Sequence, residues 1–163
     1  MPNSVMRHQS APLRLVALRL EVPELEAVVR SPNVVEGWRL TIQHHDGRAP
    51  DQISTWIRLR GQESAQMTTI YRRAAELPLQ LKHEIPAERY RAFMHGVRQL
   101  NFDKLDDTPN IPWLGADLWL LERAAGSFHH DVILAPDRAE GAHATLIALL
   151  RDHVKEALRA VNP

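Results

Sequence analysis

LPLQLKHEIPAERYRAFMHGVRQLNFDKL, residues 77–105, decides the fold. Leu77, Leu79, Leu81, His83 and Ile85 alternate with Pro78, Gln80, Lys82 and Glu84. Period two with one apolar side marks a half-buried strand. Pro78 has no N–H to give a ladder, which places it at a strand start or on an edge. Pro86 then suits the first position of a helix, where a missing N–H costs nothing, and Glu84 and Glu88 favour the helix dipole there. Tyr90, Phe93, Met94 and Val97 follow at i, i+3, i+4 and i+7, one apolar stripe with Arg89, Arg91 and Arg98 off it. Gly96 within that helix costs about 1 kcal/mol relative to Ala; a close approach to the sheet would account for it. The helix is expected to fray near Asn101.

Working outward, Trp38, Leu40 and Ile42 alternate with Arg39, Thr41 and Gln43, and residues 53–60 read as the returning strand. In the latter, Ile53, Thr55, Ile57 and Leu59 are assigned to the core, and Trp56, Arg58 and Arg60 to the opposite side. Residues 67–73 form a third strand and residues 77–85 a fourth. Residues 118–123 and 128–134 form a hairpin around Ala124-Ala125-Gly126-Ser127. Residues 140–161 carry Leu146, Leu149, Leu150, Val154, Ala157, Leu158 and Val161 in helical rhythm. Nearer the start, residues 13–22 read as a strand, with the first turns of a helix as the alternative, and residues 23–30 as a short helix. Strands grouped rather than alternating with helices predict an α+β fold: an antiparallel meander of about five to seven strands, with two long helices packed on one face as a two-layer sandwich.

At 163 residues the chain is read as one domain, residues 13–163, behind a flexible tail, residues 1–12. Twenty basic and twenty acidic residues balance, so no global pull toward nucleic acid or an anionic membrane is expected. With no Cys, thiolate chemistry and disulfides are excluded. No apolar run approaches the ~20 residues of a membrane helix, and the first residues, MPNSVMRHQSAP, lack the apolar core of a secretory signal. A cytoplasmic setting is expected, without cofactors.

The tripeptide His-His-Asp occurs twice, at residues 44–46 and 129–131. In extended chain the first His and the Asp share a face, so His44, Asp46, His129 and Asp131 would offer two imidazoles and two carboxylates to a zinc, iron or manganese ion if the two strands were neighbours. Nucleophile elbows, phosphate loops and H-E-x-x-H spacing do not occur. Arg39, Trp56, Arg58 and Arg60 are expected to project from one sheet face; an indole among guanidinium groups there would suit a partner surface, most simply a second copy, or alternatively an anion or a nucleic-acid strand. The chain is therefore read as a non-enzymatic domain that dimerises or binds a protein partner, with metal-dependent catalysis at the His-His-Asp tripeptides and nucleic-acid or anion binding as alternatives.

Overall fold

Val34–Gln43 (β1) lies at the middle of the sheet, because it alone joins the two halves of the chain's strands. On one side it pairs with Gln52–Leu59 (β2), which pairs with Ala65–Tyr71 (β3) and then Leu79–Ile85 (β4). On its other side it pairs with Leu118–Ala125 (β5), which pairs with Phe128–Leu134 (β6). Every pairing is antiparallel, and the order is β4-β3-β2-β1-β5-β6. The computed structural model describes residues 9–73 and 76–158. The α+β class, the antiparallel sheet and its strand number are as the sequence predicts.

Two long helices, Ala87–Gln99 (α3) and Gly141–His153 (α4), pack on one face. Tyr90, Phe93, Met94 and Val97 of α3 and Leu146, Ile147 and Leu150 of α4 meet Trp38, Leu40, Ile42, Trp56, Met67, Trp119, Leu121 and Val132 from the sheet. Trp38 and Trp56 lie directly opposite each other on β1 and β2. Their rings stack with centroids 6.3 Å apart, and Phe93 meets both edge-on at 5.0 and 5.9 Å.

Ala11–Arg19 (α1) and Leu25–Val29 (α2) cover part of the other face and add a thin third layer to the two expected. Here the favoured strand at residues 13–22 is corrected. Leu13, Val16 and Leu20 fall on one side at helical spacing, and Pro12 stands in the first turn, where its fixed φ suits a helix. Leu13 packs against Leu118, Leu120 and Ile133, while Val16 and Leu20 pack against Ile53. Of the expected tail, residues 1–8 lie outside the described residues; Ser10 is fully buried, and Ala11 and Pro12 belong to α1.

The phase assigned to β2 is also corrected. Ile53 faces α1, and Trp56 faces the long helices with none of its surface exposed. Alternation alone could not show this, because helices cover both faces and each carries apolar residues. Gly96 marks where α3 crosses α4, not the sheet: a Cβ there would overlap the Leu149 side chain. Asn101 ends this segment in the left-handed region, φ 53°. α4 stops earlier than the expected residue 161. Val154 leaves helical geometry at φ −130°, ψ 42°, and a 3-10 turn, Lys155–Leu158, follows; residues 159–161 lie outside the described residues.

Because Trp56 is enclosed by Trp38 and Phe93, Trp56→Ala should cost about 3–5 kcal/mol in chemical denaturation. Trp113→Ala, at an indole 44 % exposed, should stay within about 0.5 kcal/mol. Equal losses at the two positions would overturn the assigned phase.

Candidate functional site

Under α1 and α2 the sheet carries a polar row in register across four strands. Thr55 of β2 faces Arg39 of β1, Arg39 faces Glu122 of β5, and Glu122 faces Asp131 of β6. Leu118 and Leu120 precede Glu122 on the same side of β5 and are buried, so the carboxylate interrupts an apolar stripe. α1 lays Arg14 over the row, one residue after buried Leu13, and α2 brings Glu26, one residue after buried Leu25. His129 sits two residues before Asp131 and so shares its face.

Contacts within this set are dense. Arg14 Nη2 donates to Asp131 Oδ2 at 2.6 Å, and Arg14 Nη1 lies 3.5 Å from Glu122 Oε1. Arg14 Nε donates to Ser10 Oγ at 3.1 Å. His129 Nε2 is 3.2 Å from Glu122 Oε1, and its Nδ1 is 3.5 Å from Glu26 Oε1. Arg39 Nε donates to Thr55 Oγ1 at 3.0 Å. Arg39 and Glu122 are only 2 % and 4 % exposed. Burial pulls the Arg39 pKa down, and the charges of Glu122 and Glu26 only partly offset it. At Arg14 burial acts the same way, but Glu122 and Asp131 outweigh it and raise the pKa. Two buried polar atoms here have no hydrogen-bond partner among the described residues, Arg39 Nη2 and Glu26 Oε2. A cavity of about 110 Å³ opens beside the row, lined by Arg14, Leu18, Glu24, Arg39, Thr41 and Glu122.

The two His-His-Asp tripeptides do not converge. Gln43, beside His44, pairs with Leu118 at the start of β5, whereas His129 pairs with Ala124 near its end. Gly37 is the β1 partner of Ala124, so the tripeptides are about six strand positions, or roughly 20 Å, apart. Each joins a different cluster. His129 and Asp131 belong to the polar row. His44 and His45 turn to Asp117 instead, with His45 Nδ1 at 2.7 Å and His44 Nδ1 at 3.4 Å. Asp46 is half exposed and accepts from Arg48, which also pairs with Asp117. His45, Asp46 and Asp117 could together approach a cation, as could Glu26, Glu122 and His129.

Arg39, Trp56, Arg58 and Arg60 do not form the expected common face. Register sets Arg39 toward α1 and α2, while Trp56 and Arg58 fall on the long-helix side. Trp56 is fully buried within one subunit, so its indole cannot serve as an exposed contact. Arg58 Nε lies 3.5 Å from Glu36 Oε1, which accepts from Tyr90 Oη at 2.6 Å. With Arg91 and Arg98 they line a cavity of about 410 Å³. Arg60 is exposed, and its backbone N–H donates to Asn33 O at 2.7 Å. Glu122, Glu26, Arg14 and Asp117 were missed from sequence. The one local clue was Glu122, a charge set in the apolar alternation of residues 118–124.

Burial opposes ionisation of Asp117, but hydrogen bonds from Arg48 and His45 outweigh it and hold the carboxyl well below its ordinary 3.8. A carboxyl depressed on folding stabilises above its unfolded pKa, and that contribution fades as pH falls through the folded value. Asp117→Asn should therefore lower the melting temperature at pH 7. The gap to the native chain should narrow as the pH drops below about 4. A gap constant from pH 7 to pH 2 would overturn the assignment. No protein-family model matches the chain, and no curated protein is significantly similar to it.

Proposed function

We propose that the chain acts by association rather than catalysis, as a cytoplasmic domain that pairs with a second copy of itself through β4. The observation that carries this reading is the open edge of the sheet. Among the described residues β4 pairs with no strand but β3. Leu77, two residues before it, and Leu79 at its start are 85 % and 41 % exposed, and Gln80, Lys82 and Glu84 are exposed along it. Such an edge is a template for another strand. No helix among the described residues is long and apolar enough to cross a membrane, so a bilayer-spanning segment does not account for the exposed leucines.

A second β4 fits this edge in a restricted set of registers. Two antiparallel copies related by a two-fold axis must set side chains of the same face opposite each other. An axis at Lys82 would place two ammonium groups face to face, which is unfavourable. Moving the axis to Leu81 removes that clash. Leu81 then meets Leu81, Leu79 meets His83, Leu77 meets Ile85, and Lys82 meets Gln80. The exposed leucines gather on one side, and their burial contributes at about 25 cal/mol per Å². One strand pair falls short of the roughly 1,200–2,000 Å² of a stable interface, so the expected dimer is weak.

Light scattering on a sizing column at high micromolar concentration should give a mass rising from monomer toward dimer, and Leu77→Asp with Leu79→Asp should abolish the rise. The chain has no native Cys, so an introduced thiol reports register directly. Under oxidation Leu81→Cys should form a covalent dimer, since directly opposed strand residues fall within disulfide reach. Leu18→Cys, on the exposed side of α1, should not. A chain that stays monomeric at high micromolar concentration, with no crosslink through position 81, would overturn the reading.

A further inference from the structure

From the polar row we infer a divalent transition-metal site formed by Glu26 of α2, Glu122 of β5 and His129 of β6, independent of association through β4. One ligand atom from each lies within 4.8 Å of the others. Zinc and manganese bind such atoms at about 2.0–2.2 Å, so ligands around one ion sit closer to each other than twice that distance, and small side-chain shifts bring these three into range. Two carboxylates and one imidazole suit this class of ion.

Three further features favour a cation at this point. Glu26 Oε2 is buried without a hydrogen-bond partner among the described residues, and an unpaired buried carboxylate oxygen is costly. Around it, the guanidinium groups of Arg14 and Arg39 face the carboxylates of Glu26, Glu122 and Asp131, two positive charges against three negative. An enclosed surplus of negative charge draws a cation. The group nearest to blocking it is Arg14, whose guanidinium is 3.5 Å from both Glu122 Oε1 and His129 Nε2. Its much shorter bond, 2.6 Å, runs to Asp131. Arg14 can therefore yield the looser contacts to an ion and remain paired.

Three protein ligands leave a coordination position free, as at catalytic rather than structural zinc sites. Glu122 and Arg39 both line the adjoining cavity of about 110 Å³, and Arg39 Nη2 has no hydrogen-bond partner among the described residues. A small anion such as a carboxylate that entered this cavity would meet the Arg39 guanidinium beside Glu122.

Isothermal titration of the untagged, chelator-treated full chain with zinc chloride tests this. One site per chain is expected. Glu26→Gln and His129→Ala should each weaken it by at least about tenfold, and zinc should raise the melting temperature of the native chain but not of Glu26→Gln. Asp46→Asn, which removes a carboxylate from the other cluster, should bind as the native chain does. Glu26 is partly exposed on a five-residue helix, so its isosteric amide keeps the test informative should His129→Ala fail to fold. Absence of a zinc-dependent heat and melting shift would overturn the site. So would binding that Asp46→Asn removes and Glu26→Gln leaves intact.

Discussion

The stacked pair of Trp38 and Trp56 is the constraint on which the rest of the structure depends. Opposed residues on antiparallel strands share a face, so one register decision commits both indoles to the same side. Phe93 closes against both rings, and α3 must lie where that phenyl group can reach. Two buried indole N–H groups have no partner among the described residues, at about 1–3 kcal/mol each. Each ring removes about 200 Å² from water, worth about 5 kcal/mol at most. Burial outweighs the lost hydrogen bonds, so the pair holds.

Once the aromatic side is settled, the remaining face inherits every residue one step out of phase. Arg39 is neighbour to Trp38 and Leu40 in sequence, yet it lies on the far side of the sheet from them. The same alternation places Glu122 between Leu121 and Arg123, facing α1 rather than α4. A second face bearing arginine and glutamate cannot be closed by apolar packing alone. α1 and α2 close it with charge of their own, through Arg14 and Glu26, while Leu13, Val16, Leu25 and Val29 supply the apolar part of the seal. Replacing one member of such a network leaves a buried charge without its counter-charge, which costs more than the intact pair contributes.

Much of the fold was legible because several segments carry one dominant period. Residues 77–99 show alternation and then a clean helical stripe, and both resolved into β4 and α3 almost at their expected limits. Leu13, Val16 and Leu20 were harder to place, since LRLVALRLEV satisfies either period over ten residues and only the packing of Leu13 on Leu120 and Ile133 decides it. The phase of β2 was hidden for a different reason. Ile53 and Ile57 on one side and Trp56 on the other are all apolar, and a sheet covered on both faces gives no solvent side to orient by. The site was the least legible part. Its members come from α1, α2, β1, β2, β5 and β6, and nothing local links Arg14 to Asp131 across 117 positions. His129 and Asp131 were singled out from sequence, but for a partnership with His44 and Asp46 that the strand register forbids.

The far edge of the sheet is covered near its end. Along the second half of β6, Thr108 N–H donates to Ile133 O, the Ile133 N–H donates to Asp107 Oδ1, and Ala135 N–H donates to Thr108 Oγ1. The loop at Asp107 and Thr108 thus occupies the backbone N–H and C=O of Ile133, the groups a newcomer would need at that position. Strand-by-strand growth requires two free margins, one to receive and one to offer. A further strand laid along β6 would lose the groups at Ile133 to this loop, so the same contacts that satisfy Ile133 shorten the margin on which the sheet could be extended.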